Sequence, residues 1–595
     1  MQPDAGTLGD RPSERSLQAS VMRHIPFLAF LGGFGAYCSV LQFWFSSTLS
    51  QLFLVRIFFQ VALAALVIAT MRSALGVRTL GMFAPSIIAL AFLATGLPLG
   101  LALLGVILLV VVLTRASLIR ERIHEAHRIA ILVTMVSVVI SSIALAALEF
   151  QQHQLFFAVL FPVLISGWMG ERYVERVNRV GWDEPSKELA WTLVAIVLSF
   201  MVMIQDSVVD FIMLNPVTWV LLVLLNWFLG TKIRFRLNER FRFAGIRQFE
   251  LGDSPLMGDF ESNVLTMTVR NREFVDKYNP PVLMARLGKD AAKSLLLPLG
   301  VPVARTYMVL KELSGMERFH EWLGQESSFA MKPAFGYGGE GILLVVGRDG
   351  SQFKTSFGPM EASQIEAHAF QILDGEFHGG RRDAVVLEEL LVQDNRLKDI
   401  VPLGLADFRV ICFLGFPVMA MMRIPTKRSG GKANIHLGAV AAGIRVSTGT
   451  IVHSVWGGLP QPEHPDSGAI ILDRKIPLWD EILGVAAEAQ RLTGLGFAGV
   501  DVVLDAKRGP VVMEVNRRPG LEVQNANAAG LLLRLRIIES TAKAELPLEE
   551  RVRIVKELDV DNWRMPGGKP APSEYSEEKV GVDEFFEEGP TGVKA

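Results

Sequence analysis

The sequence predicts an all-α polytopic membrane bundle followed by an α+β domain. Residues 24–230 hold nearly continuous apolar runs, whereas residues 231–560 alternate apolar and charged residues as globular domains do. The chain has 595 residues, of which 50% are hydrophobic and only 20% are charged, a balance that is unusual for a soluble protein. This contrast predicts two domains, one in the membrane and one in water.

Net charge and cysteine content exclude several classes of function. The formal net charge of −2 gives no reason to expect a nucleic-acid partner. Cys38 and Cys412 lie far apart in the chain, so neither a disulfide framework nor a cysteine-based zinc site is predicted.

A spanning helix needs about 20 mostly apolar residues. Eight segments of the first domain approach this length. The sixth and seventh are short, so the sequence predicts either seven or eight spans. The segments are 25–45, 52–71, 79–96, 97–114, 129–149, 155–170, 189–206 and 210–230. The first is kept as a helix because it lacks a convincing signal-peptide cleavage site.

Basic residues between these segments predict their orientation. With eight spans, nearly all arginines and lysines of the loops fall on one side: Arg11, Arg15, Arg23, Arg72, Arg78, Arg115, Arg120, Arg122, Arg128, Arg172, Arg176, Arg179, Lys187, Lys232, Arg234 and Arg236. Arg56 is the exception and is expected to extend its charge to the membrane surface. Both termini are therefore predicted to lie in the cytoplasm, at the inner membrane of a bacterial cell.

The predicted organisation has five parts. These are a disordered N-terminus (1–23), the membrane domain (24–231), a basic juxtamembrane linker (232–259), the α+β domain (260–543) and a flexible tail (544–595). Pro85, Pro162 and Pro216 are expected to kink their spans. Because no predicted span has a strongly charged centre, an anchoring role is favoured, with transport or lipid binding as the alternative.

Glu514 and Asn516 end an apolar strand two residues apart. Side chains at this spacing point to the same face, so both can offer oxygen to one Mg²⁺. Pro519-Gly520 fits an ordinary turn equally well. The motif alone leaves the two interpretations open.

Earlier in the domain, lysines and glycines follow a pattern that suits phosphate binding. Lys289 lies near the start of a helix predicted to end near Gly300, where a cation is unfavourable unless it meets an anion. Lys332 lies on the strand that enters a glycine-rich turn containing Gly336, Gly338, Gly339 and Gly341. Such a turn can lay backbone N–H groups over phosphates, or simply close a hairpin.

Charged residues then recur at strand ends. An apolar strand, 385–391, carries Glu388 and Glu389, and a predicted hairpin runs from Asp407-Phe-Arg409 to Arg423, with a methionine stripe assigned to the core. A basic loop with Lys432, Asn434 and His436 follows.

The order of these lysines, glycines, acidic residues and arginines along residues 260–540 resembles the order found in the ATP-grasp superfamily. Within that superfamily, it resembles the RimK-like α-L-glutamate ligases and their membrane-associated relatives. Residues 50–235 resemble the seven-helix membrane domain found in partners of such ligases, where it is usually attached to an inactive transglutaminase-like region. The resemblance implies an α+β ATP-grasp domain that uses ATP and Mg²⁺, with Mn²⁺ as an alternative ion.

The resemblance also implies roles for individual residues. Lys289, Lys332, Gly336, Gly338, Gly339 and Gly341 would contact phosphates, the backbone of Glu388 and Leu391 would read adenine, and Asp394 or Asn395 would hold the ribose. Asp501, Glu514 and Asn516 match the magnesium ligands. Arg423, Lys432 and Asn434 match the residues at the transferring phosphoryl group.

The implied activity is a membrane-anchored, ADP-forming carboxylate–amine ligase with an acyl-phosphate intermediate, acting at the cytoplasmic face. Its partners would be the bilayer and carboxylate and amine substrates, which the apolar context suggests are lipid-linked or membrane-associated. Leu437 replaces a basic residue of the glutamate-adding relatives, which puts a glutamate substrate in question. The alternatives are an ATP-binding sensor without turnover and a transport or lipid-handling protein with a regulatory ATP-grasp domain.

Overall fold

The computed structural model describes residues 14–49, 53–118, 125–149, 162–180, 182–233, 235–246, 263–287, 289–335, 341–378, 382–542 and 546–560. The chain divides into two units, with the boundary between Asn238 and Glu239. The boundary falls inside the segment predicted as a linker.

The first unit is helical. Its described α-helices are α1 (Glu14–Leu49), α2 (Phe53–Thr70), α3 (Phe83–Thr95), α4 (Leu97–Leu118), α5 (Glu125–Glu149), α6 (Pro162–Val180), α7 (Asp183–Met203), α8 (Asp206–Leu214), α9 (Val217–Lys232) and the beginning of α10 (Leu237–Arg242). Ile88, Phe92 and Met169 lie in a buried cluster of this unit, to which α3, α4, α6 and α7 contribute.

Four described helical stretches are long and apolar enough to cross a membrane: Pro26–Phe43, Arg56–Leu75, Leu97–Arg115 and Glu184–Met203. Helices α8 and α9 qualify only as one bent pair, which raises the number to five, and Phe83–Thr95 and Ala130–Ala146 are shorter apolar helices. The described ranges therefore supply fewer full-length spans than the eight predicted. Most of the first half of the predicted sixth segment, 155–161, lies outside them.

The predicted eighth span is wrong as a single helix, because the chain bends by 109° between α8 and α9. Asn215 leaves the helical conformation (φ −120°, ψ 78°) immediately before Pro216. A proline disfavours the helical conformation of the preceding residue and supplies no N–H of its own, so the helix is broken here rather than only kinked.

At the start of α2, Arg56 forms ion pairs with Asp206 and with Asp210 (Nη1–Oδ1 3.2 Å).

The second unit combines helices with two antiparallel sheets. Its α-helices are α11 (Met267–Val269), α12 (Asp276–Tyr278), α13 (Pro281–Arg286), α14 (Lys289–Leu296), α15 (Met316–Gln325), α16 (Ala362–Leu373), α17 (Trp479–Leu492), α18 (Glu522–Asn527), α19 (Leu532–Thr541) and α20 (Leu548–Val560).

The first sheet has six strands in the order β1-β6-β2-β3-β4-β5. They are β1 (Thr306–Leu310), β2 (Phe329–Pro333), β3 (Leu343–Asp349), β4 (Gln352–Thr355), β5 (Gly358–Glu361) and β6 (Val385–Glu388). Phe329 and Met331 of β2 are buried with Phe319 of α15 and Ile365 of α16. Alternate residues of the strand therefore face the helices, as the period of two requires.

The second sheet has seven strands in the order β11-β10-β9-β8-β7-β12-β13. They are β7 (Asp407–Phe413), β8 (Phe416–Ile424), β9 (Val440–Ile444), β10 (Ile451–Trp456), β11 (Leu459–Pro460), β12 (Phe497–Asp505) and β13 (Gly509–Asn516). Met419, Met421 and Met422 are buried, which confirms that the methionine stripe is core. Helices α17 and α20 pack against this sheet, and α18 packs against β8, β9 and β10.

Two described helices lie partly or wholly in segments that the sequence predicts to be disordered or flexible. Helix α1 begins at Glu14, inside the predicted disordered N-terminus, and α20 occupies the start of the predicted flexible tail. In α20, Val552, Val555 and Leu558 recur at helical spacing and are buried. The Glu, Pro and Gly content of the tail as a whole concealed this short amphipathic repeat; residues 561–595 lie outside the described ranges.

Gly443 on β9 allows α18 to approach the sheet closely. A Cβ atom at this position would lie 2.3 Å from the carbonyl oxygen of Ala526. We expect Gly443→Ala to lower the free energy of unfolding by about 1–3 kcal/mol, as overpacking does. Denaturation of the full-length chain would measure this, with Gly347→Ala, which meets no atom within 4 Å, as the matched control.

Candidate active site

A buried cluster of two lysines and one glutamate lies at the end of β6. The carboxylate of Glu388 contacts Lys293 Nζ from α14 (2.7 Å to Oε1) and Lys332 Nζ from β2 (2.7 Å to Oε2). The Glu388 side chain is 3% exposed and that of Lys293 is 6% exposed, whereas that of Lys332 is 21% exposed. Lys332 is therefore the member of the cluster with most access to a ligand.

The two cations decide the protonation of this cluster. Burial raises the pKa of Glu388, but Lys332 and Lys293 outweigh it and hold that pKa below its ordinary value. Burial and the neighbouring Lys332 together lower the pKa of Lys293 to about 8, although Glu388 opposes the shift. At neutral pH one carboxylate thus shares two ammonium groups, and the cluster keeps an excess positive charge that suits phosphate.

Lys293 is a site residue that the sequence reasoning missed. The predicted residue, Lys289, begins α14, and its side chain lies outside what the structure describes. Lys293 follows one helical turn later and therefore shares its face. The repeat of lysine four residues apart was the available signal.

The glycine-rich turn is described only at its ends, because Gly336, Gly338 and Gly339 lie outside the described ranges. The backbone N–H of Phe335 donates to Asp383 (3.1 Å), and Nε2 of His368 contacts the carbonyl oxygen of Gly341 (3.0 Å). Gly341 has φ +71°, and a Cβ there would lie 2.7 Å from the Phe377 ring. Both ends of the turn are held in place, and glycine is required at the second end.

The segment after β6 joins the two sheets. Glu389 pairs with Arg508 Nη1 (2.6 Å), and the carbonyl of Val392 accepts from the N–H of Ala506 (2.9 Å), next to the turn between β12 and β13. Leu391 packs in a cluster with Val503 and other residues of these strands. Helix α14, which carries Lys293, also packs against β13.

Asp394, the predicted ribose ligand, is engaged locally. Its carboxylate accepts from the side chain of Arg396 (Nε 2.9 Å, Nη2 2.8 Å) and caps the turn that Asn395 begins. Hydrogen bonding to Arg396 lowers the pKa of Asp394, so it carries a negative charge near the joining segment.

Four charged residues form a second cluster on adjacent strands of the second sheet. In the strand register Asp407 faces Arg423, and Arg409 faces Asp501. Arg409 binds Asp501 in a bidentate manner (Nε–Oδ1 2.8 Å, Nη2–Oδ2 2.7 Å). Arg423 bridges the two aspartates, with Nε 2.6 Å from Asp407 and Nη2 2.8 Å from Asp501.

The two aspartates of this cluster differ in acidity. Burial disfavours ionisation of Asp501, but Arg409 and Arg423 outweigh burial and lower its pKa to about 2. Burial raises the pKa of Asp407 to about 6 despite Arg423, and the charge of Asp501 adds to the rise. The cluster is thus held together by guanidinium groups, with one firmly ionised carboxylate at its centre.

Glu514 and Asn516 lie next to this cluster on β13. In the register Glu514 faces Asp501, and the Asn516 amide nitrogen donates to Asp501 Oδ2 (3.0 Å). Both side chains are half-buried on either side of the buried Val515, so they share one face. The predicted metal ligands are therefore adjacent.

This donor set fits a hard cation such as Mg²⁺, since it offers carboxylate and amide oxygens. Among the described residues, no three His, Cys, Asp or Glu side chains are grouped closely enough to hold a metal ion. The set of Asp501, Glu514 and Asn516 includes only two carboxylates, so a bound ion needs further oxygens, such as those of phosphates. Asp501 already accepts from two guanidinium groups and from the Asn516 amide nitrogen, so its carboxylate is shared with these donors.

Lys432 and Asn434 lie on the loop between β8 and β9. Asn434 Oδ1 accepts from the His436 N–H (3.0 Å), which makes Asn434 the cap of a short turn. In the described part of the chain, no hydrogen bond or ion pair joins Lys432 or Asn434 to the aspartate–arginine cluster. We refer to residues 425–439, which the resemblance places on the substrate side of the site, as the substrate loop.

Residues 269–540 match the family model described as sugar-transfer associated ATP-grasp. They form an ATP-grasp domain. Residues 39–247 match the model described as seven transmembrane helices usually fused to an inactive transglutaminase. The chain is thus a fusion of a helical membrane domain with an ATP-grasp domain, as the resemblance predicted.

Curated relatives match about a quarter of this chain. A probable alpha-L-glutamate ligase of Alcanivorax borkumensis is 34% identical over 142 residues, covering 23% of this chain and 44% of the relative. One from Vibrio vulnificus is 32% identical over 143 residues, covering 23% and 35%. The chain spans less than half the length of these relatives.

Two of the solved structures to which this chain is similar are those of ligases. The ligase PsnB, complexed with a phosphomimetic variant of its minimal precursor, Mg and ADP, is 18% identical, with a TM-score of 0.24, covering 46% of this chain and 61% of that chain. The VanG D-Ala:D-Ser ligase of Enterococcus faecalis is 14% identical, with a TM-score of 0.25, covering 47% and 64%.

Proposed function

We propose that the protein is a membrane-anchored, ATP-dependent carboxylate–amine ligase that acts at the cytoplasmic face of a bacterial inner membrane. The observation that carries the proposal is the presence of two charged clusters in one domain, one on each sheet. A lysine pair on a buried glutamate lies on one sheet, and an arginine–aspartate cluster beside Glu514 and Asn516 lies on the other. The Glu389–Asp394 segment and α14 connect them.

This arrangement suits the binding of a nucleotide triphosphate. Lys332, supported by Lys293 and Lys289, would hold the phosphates beneath the turn of Gly336, Gly338, Gly339 and Gly341. The backbone at Glu388 and Leu391 would bind adenine, and Asp394 would bind the ribose. Glu514, Asn516 and Asp501 would hold Mg²⁺, with Mn²⁺ as an alternative; when bound, the ion supplies neutralisation of phosphate charge.

The proposed reaction has two steps. A substrate carboxylate oxygen attacks the γ-phosphorus of ATP, the bond to the β-phosphate oxygen breaks, and ADP leaves. An amine then attacks the carbonyl carbon of the acyl phosphate, phosphate leaves, and the nitrogen loses a proton. Positioning and charge neutralisation dominate such a transfer, so fixed cations at Lys332 and Arg423 are the groups it needs. Lys432 and Asn434 are assigned to the acyl-phosphate side of the site.

The test is turnover by the full-length chain in lipid nanodiscs. ADP and phosphate release would be measured with ATP, Mg²⁺ and a panel of carboxylate and amine pairs, including lipid-linked ones, and the products identified by mass spectrometry. A new C–N bond formed together with ADP supports the proposal. ATP binding without turnover across the panel would contradict it and favour the sensor interpretation.

Lys332 provides a specific check on the nucleotide site. We expect Lys332→Met to raise the KM for ATP at least about tenfold, because the phosphates lose a fixed cation worth more than about 1 kcal/mol. Lys354→Met is the matched control, since Lys354 is on the same sheet but is 60% exposed and pairs with Asp349. An unchanged KM in the Lys332 variant would remove that residue from the site.

A further inference from the structure

The segment that follows the last membrane helix is part of the ATP-grasp unit. Residues 239–246 belong to this unit, and Phe243 and Ile246 are fully buried. Glu239 is 2% exposed, and its carboxylate accepts from the backbone N–H of Met267 (2.8 Å). The juxtamembrane segment 239–246 is therefore built into the domain rather than serving as a flexible linker.

Within this segment, Arg242 forms an ion pair with Glu522, the first residue of α18. Arg242 Nε donates to Glu522 Oε1 (2.8 Å), and Asn525 Nδ2 donates to Oε2 (2.8 Å). The Arg242 and Glu522 side chains are only 31% and 20% exposed. Burial raises the pKa of Glu522, but Arg242 and Asn525 outweigh it and keep that pKa below its usual range, so the pair is ionised at neutral pH.

This contact changes the interpretation of the basic flank 232–242. Basic residues that directly follow a membrane-spanning helix commonly meet anionic lipid headgroups. For Arg242 the structure shows a different partner, which lies about 280 residues later in the chain.

Helix α18 forms part of the wall that carries the substrate loop. Its Ala526 carbonyl contacts His453 Nδ1 on β10 (3.2 Å), and Asn527 Nδ2 donates to the carbonyl of Ala420 on β8 (2.9 Å). The substrate loop connects β8 to β9, the strands against which α18 packs. His436, on this loop, lies close enough to Glu522 to contribute to the lowering of the Glu522 pKa.

The residues between Asn516 and Glu522 are also held. Arg270 Nη1 donates to the carbonyl of Pro519 (2.8 Å), and Arg270 is buried. The path from the proposed metal ligands to α18 is thus fixed in the middle by Arg270 and at its end by Arg242.

We infer that Arg242 and Glu522 are positioning residues. Their ion pair, which Arg242 contributes from the juxtamembrane segment, holds in place the strands and helix of the ligase that carry the substrate loop. Arg242 fixes the start of α18, and α18 supports the strands that bear the substrate loop. The geometry on the substrate side therefore depends on a residue of the segment that emerges from the membrane domain. The kinetic part of this inference rests on the proposed ligase function, whereas the structural part does not.

Hydrogen–deuterium exchange of the full-length chain in nanodiscs tests the structural part. In Arg242→Met and in Glu522→Gln, we expect exchange of the 522–527 and 425–439 peptides to rise at least about fivefold, since the opening that exposes them becomes easier. Peptides of the first sheet, 329–355, should not change. Arg240→Met, on the same helix and exposed, is the matched control and should exchange as the wild type does.

Kinetics test the positioning role. The KM for the carboxylate or amine substrate should rise at least about fivefold in Arg242→Met while the KM for ATP stays within twofold, and Arg242→Lys should restore part of the loss. The double variant Arg242→Met/Glu522→Gln should be no worse than the worse single variant, because both remove one interaction.

The outcomes separate the two proposals. Wild-type exchange in both the Arg242 and Glu522 variants would overturn the inference, whatever the activity. An absence of turnover in the wild type would overturn the ligase proposal and leave the exchange result to decide the inference. If Arg242→Met loses protection throughout the domain, Glu522→Gln, which keeps the side-chain shape and the Asn525 contact, decides.

Discussion

Replacing Glu514 with Ala is expected to lower ATP-dependent product formation by at least about 100-fold, the size of effect that follows loss of one electrostatic contact in a transition state. The change removes both carboxylate oxygens from the face that Glu514 shares with Asn516. Asp501, the remaining carboxylate of the set, already accepts from Arg409 and Arg423 and offers a weak substitute. Glu514 is half-buried, so the fold should persist.

Single-turnover kinetics with a Mg²⁺ titration would measure this effect. Residual activity of the variant should require a higher Mg²⁺ concentration than wild-type activity, and its thermal unfolding should stay within a few degrees of the wild type. Glu317→Gln, an exposed acid in the first turn of α15, is the control. Wild-type turnover by the Glu514 variant would remove the metal assignment from β13.

The local parts of the fold could be predicted from the sequence. Lys332 lies on a strand, β2, that ends just before the glycine-rich turn, as predicted, and the hairpin of β7 and β8 begins at Asp407 and runs through Arg423 as expected. In each case the strand period and a turn are properties of a few neighbouring residues. The alternation that places Glu514 and Asn516 on one face has the same local origin.

The charged clusters required tertiary information. Glu388 was predicted to act through its backbone, yet its side chain joins Lys293 and Lys332. Lys293 comes from a helix that precedes Glu388 by 95 residues, so no short window of sequence contains the contact. Arg409 drew attention only as part of Asp-x-Arg, because its partner Asp501 lies 92 residues later in the chain, on β12.

The burial of the juxtamembrane segment was hidden from the sequence for a related reason. The juxtamembrane segment is basic and follows an apolar helix, which suits a membrane flank. Phe243 and Ile246 of this segment are nevertheless fully buried, and Glu239 binds the backbone of Met267, which comes later in the chain. Composition averaged over 50 residues likewise hid α20, whose amphipathic repeat occupies only Leu548–Val560.

Replacing Arg423 with Met is expected to be the most destabilising single change in the site. Arg423 bridges Asp407 and Asp501, so its removal leaves two buried carboxylates sharing one remaining cation, Arg409. Removing one partner of a buried ion pair typically costs about 3–5 kcal/mol. Thermal and chemical unfolding of the full-length chain would measure the loss, and ligase turnover should disappear with it.

The pH dependence of this loss identifies its cause. Burial raises the pKa of Asp407 from 3.8 to about 6, so the folded state holds a proton that the unfolded state releases, and the associated stability is lost as the pH rises through 6. Without Arg423 this pKa rises further. The destabilisation of Arg423→Met should therefore be smaller at pH 5 than at pH 8.

A second substitution separates stability from catalysis. In Arg423→Met/Asp407→Asn the unpaired charge of Asp407 is removed, so we expect at least half of the lost stability to return. Turnover should stay absent, because the fixed cation at the phosphoryl group is still missing. If Asp407→Asn restored no stability, the loss would come from packing around the arginine stem. If it restored turnover, Arg423 would have acted only by neutralising Asp407, and the transferring phosphoryl group would have to depend on Lys332 and the bound ion.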